Sequence, residues 1–284
     1  MKTTISNAFL SAEIKHAGAE VFSLKNVHTN QEYLWDANPE FWGKHAPVLF
    51  PIVGTLKNNQ YRYKQQNYSL SRHGFARDMV FELIEKKDDR ATFVLKNSAD
   101  TLQVYPFEFE LQICYTLVQN SLVVGYKVQN LNSTEMPFCI GAHPAFALAG
   151  QFEDYALEFK NKVPLRYTLL ENNLISNQKA TLSTTDTTLS LEYALFKNNA
   201  LIFRSIPSKT VTILAQKKPL LQIEFEDFPD LGLWTLPNAP FICIEPWFGY
   251  SDTVTSSGNI MEKEGIEILQ PKATFRSQYT ITVF

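Results

Sequence analysis

Residues 106–117, PFEFELQICYTL, alternate without a break. Phe107, Phe109, Leu111, Ile113, Tyr115 and Leu117 fall on one side, and Glu108, Glu110, Gln112, Cys114 and Thr116 on the other. Successive side chains of an extended chain point to opposite faces, so this pattern makes a strand with one buried face. A helix would scatter the same apolar residues around its axis. Gln119-Asn120-Ser121 supplies a turn, and 122–128 alternates again through Leu122, Val124, Tyr126 and Val128. The two runs predict a β-hairpin. Shorter strands are expected at 4–14, 60–70, 80–86, 90–96, 155–159, 201–206, 211–216, 220–226 and 277–283. Helical signals are few: Asn38 can cap, and Pro39 open, one short turn ahead of Phe41 and Trp42. The polar stretch 161–188 has the weakest pattern and reads as loops and short edge strands. With 21 Phe and 12 Tyr feeding strands, facing sheets are favoured over a helix bundle. The expected fold is all-β, stacked antiparallel sheets in one domain over 1–284.

An apolar fraction of 45% and a charged fraction of 19% suit a folded chain, and 284 residues can bury a sizeable core. A net charge of −3 provides no global basic field, which argues against nucleic acid as a partner. Cys114, Cys139 and Cys243 are too scattered for a disulfide framework or a zinc knuckle. They read as buried free thiols, in keeping with a reducing cytoplasm. The first residues, MKTTISNAFLSAEIKHAG, lack the apolar run of a signal peptide. No segment approaches the roughly 20 apolar residues of a membrane span.

Chemistry concentrates elsewhere. Glu245 follows the apolar run 241–244, and Pro246 and Trp247 come next, which places a carboxylate at the end of a buried strand. A dry, unpaired carboxylate is costly, so Glu245 needs a partner or a job. His143 lies in Gly141-Ala142-His143-Pro144 after an apolar run; Pro144 biases it toward extended backbone, and Gly141 and Ala142 leave room beside the ring. His73 lies in Arg72-His73-Gly74 with Arg77 shortly after. Such clustered donors suit an anionic or polyhydroxyl partner, or else pair with Asp78 or Glu82. His45 can line a pocket mouth or be structural, and His16 and His28 have no supporting motif. One carboxylate and two histidines near strand ends suggest an acid–base site. The same trio is a known metal-ligand set. The zinc-protease spacing is absent, as are a G-x-S-x-G elbow, a phosphate-binding glycine loop and a dinucleotide fingerprint.

Five segments carry a resemblance: HAPVLFPIVGTL (45–56), SRHGFARD (71–78), VYPFEFEL (104–111), MPFCIGAHPAF (136–146) and FICIEPWFGYSD (241–252). In this order they resemble the aldose 1-epimerase (mutarotase) family, in its LacX-like branch. The resemblance implies a galactose-mutarotase-like β-supersandwich and interconversion of α and β anomers of a hexose. It implies that Glu245 is the general base at the anomeric hydroxyl and His143 the general acid at the ring oxygen. It also implies that His73, Arg72 and Arg77 hold hydroxyls or a phosphate, and that Trp234 or Trp247 walls the sugar. Family members often carry aspartate where this chain has Asn199, which keeps the hydrogen-bonding shape without the charge. They often carry arginine after Gly54-Thr55-Leu56, where this chain has Lys57. An acid–base pair suffices for hemiacetal opening, so no cofactor and no metal is expected. The expected partner is a small sugar or sugar phosphate, with no nucleic acid or membrane, and any self-association is expected to be a homodimer. A hexose 6-phosphate epimerase and a non-catalytic sugar-binding protein are the alternatives.

Overall fold

The hairpin forms as the alternation dictates, from Phe109–Val118 and Ser121–Asn130, with Leu122 opposite Leu117 and Val128 opposite Leu111. The computed structural model describes all of residues 1–284. On one side the hairpin pairs with Arg90–Lys96 and then Glu82–Lys86; on the other it pairs with Thr274–Val283. Lys218–Glu224, Thr210–Ala215, Tyr155–Phe159 and Thr188–Ser190 complete a nine-stranded antiparallel sheet. A second, eight-stranded sheet centres on Asp230–Trp234 and Phe241–Phe248. Its far side carries Leu201–Phe203 and an edge hairpin, Arg166–Glu171 and Leu174–Thr181. Lys2–Ser6, Leu10–Lys15 and Val21–Asn26 form a smaller sheet. No helix is long and apolar enough to cross a membrane.

The apolar face of the hairpin enters a core of 63 buried residues running from Ile5 to Val283. Phe109 packs against Phe50 at 5.0 Å and Tyr105 at 6.0 Å between ring centroids. This cluster reaches the site directly. The carbonyl of Phe50 accepts from the N–H groups of Phe75 and Ala76, which ties the 71–78 loop to the core.

Several expected boundaries are corrected. The run 4–14 is two strands, because the Asn7 side chain accepts from the N–H groups of Phe9 and Leu10 and turns the chain. The run 60–70 splits into Gln60–Tyr63 and Gln66–Ser69 at Lys64, which has φ +53°. One helix went unread, Ala99–Val104; Ser98 and Thr101 cap it reciprocally, with threonine where the capping signature expects Glu or Gln. Cys114 is half-buried on the polar side of the hairpin, whereas Cys139 and Cys243 are buried; all three are free.

The largest correction concerns Glu245. The strand does not stop there; Phe241–Phe248 runs through Glu245, Pro246 and Trp247. Ile244 sends its N–H to the carbonyl of Pro144, and backbone groups two residues apart point the same way. The donor missing from Pro246 therefore faces the same side, toward Ala142. The neighbouring chain pairs as Gly141 with Trp247 and as Ala145 with Cys243 in one unchanged register. The regular ladder lapses only at 143–144, since Pro144 and Pro246 both lack the N–H it needs.

Phe109 has no exposed surface and anchors the ring cluster beneath the 71–78 loop. Phe109→Ala is expected to lower stability by about 3–5 kcal/mol in denaturant unfolding, since the rigid rings around it collapse only partly.

Candidate active site

The register of these strands also builds the site. His143, between Ile140–Ala142 and Ala145–Ala147, stands directly across from Glu245, so the two side chains share one face of the sheet. His143 Nε2 lies 3.2 Å from Glu245 Oε2, with both residues buried. On its other flank Glu245 is paired with Gly232, which offers no side chain.

Aromatic rings enclose the imidazole. Trp42 stacks on it at 4.7 Å between centroids with 28° between planes. Trp234 and His73 each meet it edge-on at 5.7 Å. The expected short turn delivers Trp42, whose N–H bonds the carbonyl of Asn38. The Trp42 carbonyl accepts from Trp35 Nε1 at 2.9 Å. Just beyond, the Glu20 carboxylate receives the N–H groups of His45 at 2.7 Å and Ala46 at 3.1 Å. His45 is thus a structural residue beside Glu20, and His16 likewise contacts Thr3 at 3.0 Å.

His73 is buried with φ +68°. Its Nδ1 accepts the Gly54 N–H at 3.1 Å, while Arg72 Nε approaches Nε2, also at 3.1 Å. A neutral imidazole has a single acceptor nitrogen. The backbone donor cannot turn away, so Nδ1 is the acceptor and Nε2 carries hydrogen. The positive charge of Arg72 also acts on Glu245, where it favours the carboxylate. Arg77 pairs with Asp78, one of the two readings offered by the sequence. Its Nη2 donates to the Arg72 carbonyl at 2.8 Å and its Nε lies 3.6 Å from Asp78, yet it also lines the cleft.

The cleft has a volume of about 610 Å³ and gathers Glu245, His143, His73, Arg72, Arg77 and Asn199, with Trp234 and Trp247. Asn199 sits at the rim, its amide donating to Asn173 at 3.0 Å and its oxygen accepting the Ala200 N–H. Lys57 points elsewhere, to the carbonyl of Val254. Trp42, Phe196, Lys197 and Leu236 also line the cleft and were missed. The room expected beside Gly141 is filled: it holds the Trp247 indole.

Burial dominates the electrostatics. It pushes the Glu245 carboxyl well above the usual range, opposed by the positive charge of Arg72 and by the Trp247 N–H. It lowers His143, with the positive charge of Arg72 adding to the effect, to about 3. Both directions put the single proton of the pair on Glu245. Cys243 joins these two residues, the three donor atoms lying within 4.8 Å of one another. Burial holds its thiol protonated, and a metal would have to displace that proton.

The aldose 1-epimerase family profile matches residues 1–281. The chain belongs to the aldose 1-epimerase family. It is 36% identical to the chromosomal LacX protein of Lactococcus lactis subsp. lactis, covering 100% of this chain and 99% of that one. A galactose mutarotase related enzyme from Lactobacillus acidophilus superposes with a TM-score of 0.95 at 35% identity, over 100% of this chain and 97% of its own. A galactose mutarotase-like protein from Lactobacillus casei gives 0.95 at 31% identity, with both chains fully covered. The fold is therefore the galactose-mutarotase-like one, as the resemblance implied.

The nitrogen-15 shifts of the His143 ring are expected to remain those of a neutral imidazole as pH falls, until it nears about 3. A ring that titrates near its ordinary value would contradict the burial argument.

Proposed function

We propose that this protein is an aldose 1-epimerase that interconverts the α and β anomers of a hexose by opening and closing its ring. The observation that carries the reading is the 3.2 Å approach of His143 Nε2 to Glu245 Oε2 at the floor of a cleft. The two oxygens of a cyclic hemiacetal share one carbon. Groups that serve them must therefore stand side by side, and these do.

The proton of the pair first passes from Glu245 to His143, which creates base and acid together. The environment supports this polarity: Arg72 favours the carboxylate, and the stacked face of Trp42 favours an imidazolium. Glu245 then takes the proton of the anomeric hydroxyl, whose electron pair forms the carbonyl. The bond from the anomeric carbon to the ring oxygen breaks, and His143 protonates that oxygen. Rotation about the next carbon–carbon bond turns the carbonyl over. Closure reverses each transfer on the opposite face. His73 Nε2–H and Arg72 are the donors proposed to hold the sugar hydroxyls, with Arg77 and Asn199 toward the rim.

A second reading is favoured by charge. Arg72, Arg77 and Lys197 are the three cations of the cleft, and guanidinium groups suit a phosphate. A hexose 6-phosphate is the corresponding substrate. NMR exchange on glucose, galactose and their 6-phosphates separates the two; acceleration of the phosphates alone would select the second. Free thiols at Cys139 and Cys243 suit a reducing compartment, and the cytoplasm is the proposed location.

Glu245→Gln and His143→Asn are each expected to lower the anomerisation rate by about 10²-fold or more. Wild-type protein that leaves every sugar at its spontaneous rate would instead support a binding protein on this fold. The working form holds one proton on the pair. kcat/KM is therefore expected to fall at low pH, as a second proton arrives, and at high pH, as the last leaves. Both apparent pKa values belong to the pair.

A further inference from the structure

Trp247 lies flat against the sheet beside Glu245. The two are separated by one residue on Phe241–Phe248, so both side chains face the cleft. Glycines make room for the indole on both neighbouring strands. A Cβ at Gly141 would come within 2.5 Å of Trp247 Cδ1, and one at Gly232 within 2.5 Å of Cη2. The ring is therefore held in one orientation.

Its polar atom makes no hydrogen bond of ordinary geometry. Trp247 is 4% exposed and its Nε1–H is buried, near enough to the Glu245 carboxylate to oppose the rise in its pKa. Glu245 Oε2 is also buried, 3.2 Å from His143 Nε2 but in no hydrogen bond of ordinary geometry. Native proteins leave few such groups, because an unmade buried hydrogen bond costs the full desolvation of its donor or acceptor. A donor in a fixed ring and an acceptor on a rotatable side chain two residues away face the same cleft, and each is the kind of partner the other lacks. Packing alone would be served by phenylalanine. The nitrogen calls for another explanation.

We propose that Trp247 is the positioning residue of Glu245: its indole N–H orients the carboxylate and holds it ionised for proton abstraction. The catalytic part of this role rests on the epimerase reading above. The other charged or titratable groups around Glu245 are His143 on the neighbouring chain, Arg72, His73 and Arg77 on the 71–78 loop, and Cys243 on its own strand. Arg72 also favours the anion, but it stands on a long side chain at an exposed loop position. Trp247 is the neutral, immobile donor.

Trp247→Phe keeps an aromatic ring over the two glycines and removes only the N–H. A lost donor disfavours the carboxylate, and the last proton of the pair leaves from Glu245, so the alkaline limb of the kcat/KM profile is expected to move up by about one pH unit. Relative to wild type, activity would be about ten-fold low below the limb and recover above it. A limb that does not move, or a loss equal at every pH, overturns the proposal. The Trp247 indole proton–nitrogen resonance of the wild-type protein gives a second reading that needs no variant to fold. It is expected to titrate together with Glu245, and to stop doing so in Glu245→Gln. A resonance that ignores pH in the wild type also overturns it. Should no sugar be accelerated, the epimerase reading fails, and this resonance still decides whether Trp247 holds Glu245.

Discussion

A carboxylate and an imidazole 3.2 Å apart in a buried position make up the contact around which the molecule is arranged. Neither group tolerates burial as a charge, and the register of the sheet brings them together. The chain beside Phe241–Phe248 pairs in one register on both sides of 143–144, which sets His143 directly across from Glu245. The two prolines flanking this pair, Pro144 and Pro246, thin the backbone ladder there without shifting it.

Aromatic groups then control the polarity of the pair. Trp42 covers one face of His143, Trp234 and His73 close its edges, and Trp247 lies along the floor between Gly141 and Gly232. These rings exclude water without adding charge. Burial consequently becomes the largest influence on both titrating groups, and the cations act against that background. The support reaches outward through ordinary structural contacts. Glu20 pins the chain just after Trp42, and Phe50 pins the loop that carries His73.

Much of the architecture could be read from residue order, for a simple reason. The 109–130 hairpin is long enough for two-residue periodicity to dominate, and each strand of it buries a single face. Reading weakened wherever a side chain rather than periodicity turns the chain, as at Asn7, or where both faces of a strand are covered, as at 241–248. In the latter case an apolar run interrupted by Glu and Pro looks like an ending. The site showed the same division. Glu245, His143, His73, Arg72 and Arg77 were found because polar residues stand out in apolar segments. Trp42, Phe196 and Leu236 were not, because an apolar wall looks no different from core.

Residue order by itself determined the all-β class, the central hairpin, the short list of groups able to move a proton, and the family. It did so because alternation and isolated polar residues are local properties. Tertiary structure alone decided that Glu245 sits within a strand rather than after it, that His143 lies over it, and that tryptophans surround the pair. Those outcomes depend on which strands become neighbours and in what register, and pairing between distant segments leaves no trace in local composition.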